Sequence, residues 1–272
     1  MPVACYVRSV SELAVLRAIK TPQPNNSVRP LRATDKVVRS APAQTWCNCV
    51  VMSDIQARLS RLDSCVVSDA LDKLGLSGVA VGISRLSTNS KLAGRVHTVK
   101  LEAANGRLAN RHLCTGAVEA AEAGEILVIE HHSRADCAGW GGILSKAALV
   151  KSIAGVIVDG VCRDIDESRE LGFPVFARGV VPVTARGRII ESGFDCPITV
   201  GHVIVRPGDW VIADGSGVVF LGHDHVEAIL NQAEQLVARE AALVKEIEAG
   251  IPVSKVMSRT YEHMTQKESQ KD

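Results

Sequence analysis

Through the middle of this chain, the spacing of hydrophobic residues switches between the two-residue period of a strand and the longer period of a helix. Leu92 to Leu101 alternates as a strand does, and Ile126 to Glu130 and Gly155 to Val158 are short apolar runs typical of buried strands. Gly142 to Ser152 and Asp164 to Leu171 have helical spacing. Strands that alternate with helices predict an α/β domain.

The rest of the chain adds shorter elements around this core. Val175 to Ala177 begins a further strand, and a long amphipathic helix is predicted from about His225 to Glu248. Between them, Pro207-Gly208 and the glycines near residue 216 break the sequence into short strands. We therefore expect an α/β fold with a mixed sheet or a partly closed barrel, plus a long C-terminal helix. The other predicted elements are helices at Asp54 to Leu59, Val66 to Leu74 and Ala109 to Ala123, and strands near Ile198, Val203 to Val205, Trp210 to Ala213 and Val218 to Leu221.

Composition divides the chain into three segments. The first fifty residues contain no glycine, two acidic residues and seven lysines or arginines, so residues 1–52 are predicted to be a basic extension or linker. This segment faintly resembles an organelle transit peptide, and a disordered tail or an upstream start codon are the alternatives. Residues 53–250 contain the periodic pattern of a folded domain. Residues 251–272 are predicted to be a polar C-terminal tail.

Charge and composition argue against several classes of protein. A net charge of +1 and an aromatic content of 3% provide neither the positive field nor the stacking surface that a nucleic-acid partner requires. No apolar run approaches the ~20 residues that a membrane-spanning helix needs. The eight cysteines are scattered and none forms a Cys-x-x-Cys pair. This distribution predicts reduced thiols and a cytoplasmic location.

The start of the helix at residue 142 is the first candidate for a binding site. Gly141, Gly142, Ile143 and Leu144 present free backbone N–H groups at a helix N-terminus, where a carboxylate is stabilised. A plain tight turn packed on the sheet is the alternative. Lys146 falls inside this helix, as does Lys151, and both are expected to be solvated.

Charged residues near the next helix are the second candidate. Asp159 ends a predicted strand, Arg163 and Asp164 precede the helix, and Glu167 follows three residues later. An acid at a helix start with Glu three residues on is also a capping-box pattern, and Asp159 also fits a turn. Capping does not explain Arg163, because a cation beside a helix N-terminus is unfavourable unless an anion joins it. The pattern therefore predicts a site for a small anion and a divalent cation.

Gly142, twenty further residues, Arg163-Asp164, two residues and Glu167 together resemble the signature of the RraA-like family. This family includes regulators of ribonuclease activity and metal-dependent 4-hydroxy-4-methyl-2-oxoglutarate aldolases. The likeness covers about residues 53–250, the predicted catalytic domain. Further family-like segments are Ser68-Asp69-Ala70-Leu71, Ala93-Gly94-Arg95, Gly172-Phe173-Pro174-Val175, and Gly208-Asp209 through Asp214-Gly215.

The resemblance implies a swivelling α/β/β domain that assembles as a homotrimer or homohexamer with sites at subunit boundaries. It implies Mg²⁺ or Mn²⁺ held by Asp164, largely through water. It also implies that the backbone from Gly141 to Leu144 binds the carboxylate of a small 2-oxo acid, with Arg163 on the substrate oxygens. In the characterised aldolases of the family an aspartate usually stands where this chain has Gly142. The pairing of that glycine with Glu167 is closer to the ribonuclease-regulator branch.

These features predict a divalent-metal-dependent lyase that cleaves 4-hydroxy-2-oxo acids, decarboxylates oxaloacetate, or does both through a pyruvate enolate. Retro-aldol cleavage also needs a base for the C4 hydroxyl, and a metal-bound water or hydroxide oriented by Asp159 or Glu167 is expected to serve. Decarboxylation needs no such base. The alternatives are a non-enzymatic oligomeric regulator that binds a protein partner, and another enolate reaction on a sugar acid in the same site.

Overall fold

The computed structural model describes residues 54–257, which fall within the unit Pro42–Asp272. The predicted extension 1–52 and most of the predicted tail, residues 258–272, lie outside the described residues. Residues 251–257 of that tail include the short helix α7, Val253–Val256, whose Val256 is buried. At least the first part of the predicted polar tail is therefore packed on the protein.

Four neighbouring parallel strands form the centre of the structure. They are β3 (Leu92–Ala103), β4 (Ile126–Arg134), β5 (Gly155–Cys162) and β6 (Val175–Val180), and they lie side by side in chain order. Every residue of β5 is buried, as expected of a central parallel strand covered on both faces. The carboxyl ends of these strands therefore meet at one edge of the sheet, where α/β proteins place their ligands.

Shorter strands extend this sheet in an antiparallel sense. The order is β1-β11-β10-β3-β4-β5-β6-β2, with β7 paired to β3, so the nine-stranded sheet is mixed. A separate hairpin formed by β8 and β9 packs its apolar residues against the central strands. The bounds are Val79–Ala80 (β1), Ser84–Arg85 (β2), Ile189–Phe194 (β7), Ile198–Val200 (β8), Val203–Val205 (β9), Trp210–Ala213 (β10) and Val218–Leu221 (β11).

Helices cover two different parts of the sheet. The helices α3 to α5 pack over the central strands around Trp140 and Phe173, whose stacked rings are 6.2 Å apart. The helices α1, α2 and α6 form a second core with β10 and β11. The bounds are residues 54–59 (α1), Ser64–Leu74 (α2), Thr115–Ala120 (α3), Gly142–Val150 (α4), Ile165–Glu170 (α5) and Val226–Glu248 (α6), with a 3-10 turn at His223–His225.

The predicted α/β class, mixed sheet and long C-terminal helix are confirmed. The helix predicted at Ala109 to Ala123 is shorter than expected, because Cys114 adopts a left-handed conformation with φ of 63° directly before α3. The sequence reading did not predict β7, whose register on β3 shifts at Lys100/Leu101. Within residues 54–257, no helix combines the length and apolar character required to cross a bilayer.

Candidate active site

A cavity of about 340 Å³ opens where α4 begins and β5 ends. One part of its wall is the segment from Trp140 to Leu144, and the adjoining part is Arg163 with Asp164. Residues that follow β6, residues that precede α3, and one residue between β4 and α4 complete it. These further lining residues are His112, Leu113, Ala138, Thr184, Ala185 and Arg186. The structure thus brings six of the eight predicted site residues to one cavity.

The first turn of α4 supplies backbone donors to this cavity. Gly141 precedes the helix in an extended conformation and provides no side-chain cap. The N–H of Gly142 donates to Asp164 Oδ2 at 3.2 Å, whereas those of Ile143 and Leu144 have no acceptor among residues 54–257. Uncapped N–H groups at a helix start favour an anion. The indole of Trp140, which donates to Ser145 Oγ at 2.8 Å, holds this turn in place.

Arg163 and Asp164 form an ion pair at the junction of β5 and α5. The Nε of Arg163 donates to the two Asp164 oxygens at 3.1 and 3.2 Å, and its backbone N–H donates to Trp140 O at 3.0 Å. Asp164 adopts a left-handed conformation with φ of 54° and makes no side-chain cap for α5. The Asp164 carboxylate therefore does not cap α5, which was the alternative interpretation of this residue. The two side chains are 38% and 37% exposed, so solvent and ligands can reach both.

Glu167 occupies the space above Gly142. A Cβ atom on Gly142 would overlap the Glu167 carboxylate, so in this arrangement position 142 has no room for a side chain. Glu167 also lines an open depression of about 450 Å³ that shares Arg163 and Asp164 with the cavity. The Glu167 carboxylate thus packs against Gly142, which forms part of the cavity wall.

Asp159 is not part of this wall. It is 3% exposed, and its Oδ1 accepts from Arg178 Nε at 2.6 Å and from Ser133 Oγ at 3.2 Å. Its other oxygen accepts from the N–H of Gly201 at 3.2 Å. Asp159 and Arg163 lie four positions apart, at the middle and just beyond the end of β5, and only Arg163 reaches the cavity.

The other reactive side chains near the cavity do not provide a nucleophile. Burial raises the pKa of the Cys162 thiol to about 11 and that of the Cys114 thiol well above its usual range, so both are protonated at neutral pH. Lys146 and Lys151 are not among the lining residues. The functional groups that the described residues offer there are therefore the Asp164 carboxylate, two arginines, an imidazole, a hydroxyl and backbone N–H groups.

Sequence reasoning missed His112, Thr184 and Arg186, which line the same cavity. Backbone hydrogen bonds bring the loop after β6 to this place: Val181 N–H donates to Cys162 O at 2.9 Å, and Ala138 N–H donates to Val183 O at 3.0 Å. These are long-range contacts that leave no periodic pattern. The place of this loop after a parallel strand could have predicted that it lines the site, because loops at the carboxyl ends of parallel strands commonly line α/β sites.

Comparison with known proteins identifies relatives of this chain. The family model described as RraA-like, Aldolase/RraA, matches residues 64–220. A Halalkalibacterium halodurans protein named "Putative 4-hydroxy-4-methyl-2-oxoglutarate aldolase" is 30% identical over 191 residues, which are 70% of this chain and 86% of that protein. Protein DlpA of Legionella pneumophila is 27% identical over 199 residues. That overlap is 73% of this chain but 32% of DlpA, so the chain spans about a third of this relative.

Solved structures show the same fold. An uncharacterised protein from Pseudomonas syringae matches with a TM-score of 0.68 and 26% identity, over 76% of this chain and 98% of that chain. Streptomyces coelicolor RraAS2, described as an unusual member of the RNase ES inhibitor RraA protein family, matches with a TM-score of 0.64 and 26% identity. This second match covers 69% of this chain and 94% of that chain.

Proposed function

The chain belongs to the RraA-like family, and from that premise we propose that it is a divalent-metal-dependent lyase acting on small 2-oxo acids. One observation carries the proposal: the donors at the start of α4 and the Arg163–Asp164 pair line the same cavity. Its volume of about 340 Å³ is at the small end of ligand pockets and suits a short organic acid. Relatives of this chain carry aldolase names, which supports the same reaction class.

The start of α4 and Arg163 are proposed to bind the substrate's C1 carboxylate and C2 oxygen. The N–H groups of Ile143 and Leu144 are free to donate to a carboxylate, and the helix dipole adds favourable potential. Arg163 is held by its backbone bond to Trp140, while its guanidinium is partly exposed. Its fixed positive charge stabilises the negative charge that develops on the C2 oxygen as the enolate forms.

Asp164 is proposed to hold Mg²⁺ or Mn²⁺. Within residues 54–257, no three His, Cys, Asp or Glu side chains converge as a complete protein cage for a metal. An exposed aspartate beside a cavity nevertheless fits Mg²⁺, which commonly keeps several waters and takes only one or two carboxylates from a protein. Such an ion, when bound, acts as a Lewis acid toward the oxygens of the 2-oxo acid.

Glu167 is proposed as the base of retro-aldol cleavage, because Asp159 is committed to Arg178. In that step the C4 hydroxyl proton passes to the base, the C3–C4 bond breaks, and its electron pair forms the pyruvate enolate. Protonation of the enolate at C3 then releases pyruvate. Glu167 would supply, from α5, the carboxylate that characterised aldolases of the family carry at the position of Gly142. The overlap between a side chain at 142 and Glu167 supports this exchange.

The decisive experiment is a panel of 2-oxo acids assayed with Mg²⁺ or Mn²⁺, with pyruvate release as the readout. Wild type is expected to form pyruvate from oxaloacetate or from a 4-hydroxy-2-oxo acid, and EDTA is expected to stop it. Asp164→Ala and Arg163→Ala should each reduce turnover by roughly 10³-fold, the order of magnitude for losing a group that stabilises an oxyanion.

Asp166→Ala is the matched control for Asp164→Ala. Asp166 is exposed and paired with Arg169, and it does not line the 340 Å³ cavity. Its removal should leave turnover within about twofold, as is usual for surface substitutions away from the chemistry. Wild-type turnover by Asp164→Ala would disprove the proposed role of the metal site.

A second candidate is a non-enzymatic oligomeric regulator that binds a protein partner. It is favoured by the pairing of Gly142 with Glu167 and by the likeness to RraAS2. In either case we propose a homotrimer or homohexamer in the cytoplasm. Large apolar side chains beside the site, Ile143 and Val180, are 83% and 55% exposed, which is consistent with a subunit contact there. A stable protein partner together with no turnover across the panel would favour the regulator.

A further inference from the structure

His131, near the end of β4, is a fully buried histidine that the proposed mechanism does not use. Its Nε2 lies 2.7 Å from Cys137 O, and its Nδ1 has no hydrogen-bond partner among residues 54–257. A carbonyl oxygen only accepts, so Nε2 carries the proton and donates it to Cys137. Burial lowers the pKa of His131 below its ordinary value, which keeps the ring neutral at neutral pH and leaves Nε2 as its one donor.

The hydrogen bond from His131 to Cys137 closes a short strained loop. Two residues inside this loop, His132 and Ser133, adopt left-handed conformations with φ of 52° and 54°. Such conformations cost on the order of 1–3 kcal/mol each in non-glycine residues and persist only where surrounding contacts hold them. The Ser133 hydroxyl holds one part of the loop by donating to Asp159. The bond from His131 holds its far end, at Cys137, which is the end nearer to α4 in the chain.

The ring of His131 also supports the segment that leads from Cys137 into α4. A Cβ atom on Gly139 would lie 3.0 Å from His131 Cδ2, and one on Gly160 would lie 2.3 Å from the same atom. The ring therefore packs closely on the backbone of both glycines. On β5, Val161 O accepts from the Gly139 N–H at 2.9 Å, which fixes the segment beside this strand.

This segment continues directly into the wall of the 340 Å³ cavity. Ala138 and Trp140 line the cavity, and Gly141 to Leu144 follow as the start of α4. Cys137 comes four positions before Gly141, so a movement of its backbone is transmitted to the first turn of the helix. His131 itself is not among the lining residues. Any effect of its side chain on a ligand must therefore pass through the segment.

We propose that His131 is a positioning residue: its bond to Cys137 and its contact with Gly139 set the place of the α4 donors that bind the substrate's C1 carboxylate. The inference rests on the proposed function for the identity of that ligand. A displacement of about 1 Å in a group that orients a substrate costs up to about 10²-fold in activity. The buried donor of His131 thus contributes to the site without touching the substrate.

The test compares His131→Gln with His131→Met. The two side chains have similar lengths, but glutamine has an amide N–H that replaces the Nε2 donor and methionine has none. His131→Met should raise KM for the 2-oxo acid that wild type cleaves by roughly tenfold, as for losing part of a hydrogen-bonded carboxylate contact. Its kcat should stay within about threefold, because the C1 carboxylate does not change during the reaction. His131→Gln should stay within about threefold of wild type in both constants.

His132→Asn is the matched control. It removes the neighbouring imidazole, whose Nε2 lies 2.9 Å from Leu101 O on β3 and not from the segment that enters α4. Asparagine also tolerates the left-handed backbone at this position. KM and kcat should both stay within about twofold of wild type.

Amide hydrogen exchange, followed by mass spectrometry on the ligand-free protein, measures the position of the segment without any activity. The N–H of Ser145 donates to Gly141 O at 3.1 Å, and that of Gly139 donates to Val161 O, so both report on this region. Peptides that contain these groups should exchange faster in His131→Met and at the wild-type rate in His131→Gln. Peptides from β10 and β11 should be unchanged in both variants, which separates a local effect from a loss of global stability.

Equal KM values for His131→Gln and His131→Met would overturn the inference, as would a loss in kcat without a change in KM. If His131→Met does not fold, Gly139→Ala takes its place, because the added Cβ displaces the segment from the ring and leaves the donor intact. An unchanged KM in Gly139→Ala would then overturn the inference.

If wild type cleaves no 2-oxo acid, the proposed function fails, and the exchange measurement then tests His131 separately. Faster exchange confined to the segment before and at the start of α4 would support the positioning role. Exchange that is unchanged there, or that increases equally in β10 and β11, would overturn it.

Discussion

Two arginine–aspartate pairs lie near the carboxyl ends of neighbouring strands, and they differ in how completely they are satisfied. Arg178 and Asp159 are 2.6 Å apart with side chains 21% and 3% exposed, and Asp159 accepts two further hydrogen bonds. Arg163 and Asp164 are 3.1 Å apart, and more than a third of each side chain is exposed. The first pair closes a buried polar region, whereas the second borders a cavity.

The difference teaches that residue type alone does not identify a site. A carboxylate that is 3% exposed and held by an arginine and two other donors is out of reach of a ligand, and removing a partner leaves an uncompensated charge. A partly exposed pair contributes little to stability, so its groups can exchange partners when a ligand or metal arrives. The four predictions below test this division, beginning with the largest expected effect.

Removing the arginine of each pair should affect stability very differently. Arg178→Ala should lower the free energy of unfolding by about 3 kcal/mol, because Asp159 stays buried without its ion-pair partner. Arg163→Ala should change it by less than about 0.5 kcal/mol. Urea denaturation followed by circular dichroism measures both. The double variant Arg178→Ala/Asp159→Asn should recover part of the loss, and equal effects of the two arginine variants would break the comparison.

Glu167→Ala should separate the two lyase reactions. Loss of the proposed base should slow retro-aldol cleavage by about 10²-fold. It should leave oxaloacetate decarboxylation within a few-fold, because that reaction needs no base for a hydroxyl group. Pyruvate release from each substrate is the measurement.

Adding Gly142→Asp to this variant places a carboxylate in the space that Glu167 vacates. The double variant should recover part of the retro-aldol activity. A loss that is the same for both reactions in Glu167→Ala would instead indicate that Glu167 supports the metal site or the fold.

Arg163→Lys tests whether the exposed pair needs the guanidinium of Arg163 or only its positive charge. Lysine keeps the positive charge but loses the planar guanidinium, whose Nε donates to the carboxylate of Asp164 and whose other N–H groups are proposed to bind the substrate oxygens. We expect a decrease in kcat/KM of about tenfold with an unchanged melting temperature. Steady-state kinetics and thermal denaturation at pH 7.5 measure the two effects. A lysine variant as active as wild type would show that only the charge is needed.

The smallest expected effect is a dependence of stability on pH, which we expect from His131 in the buried region around Asp159. His131 is fully buried against Gly160, beside Asp159, and its Nε2 contacts Cys137 O at 2.7 Å. Burial lowers its pKa below the ordinary value of 6.5. Below pH 6.5 the unfolded chain therefore binds a proton that the folded protein excludes, and stability decreases as the pH falls toward the folded-state pKa.

Melting temperatures between pH 7.5 and pH 5 test this sign. The wild-type value should fall on acidification, and the decrease should be less steep in His131→Gln, which has no titrating ring. A steeper decrease in the variant would contradict the assignment to His131.

Local pattern in the sequence was sufficient to predict the central elements. The runs at Ile126 to Glu130 and Gly155 to Val158 lie within β4 and β5, because a buried parallel strand is apolar along its whole length. The spacing from Gly142 to Arg163 and Glu167 predicted their approach, because each residue lies at or beside the start of a helix next to the same strand. The overlap between Gly142 and Glu167 came only from the three-dimensional arrangement.

The sequence by itself determined the α/β order and the clustering of residues that are close along the chain. The reason is that the periods of helices and strands come from local backbone geometry and are visible in the spacing of apolar residues. The tertiary structure decided which aspartate is buried and which faces the cavity. Asp159 and Asp164 read alike as acids near a strand end, but Asp159 meets Arg178, nineteen residues further along the chain, on the adjacent strand. It also decided that Arg186 lines the site, because backbone hydrogen bonds between distant segments bring its loop there.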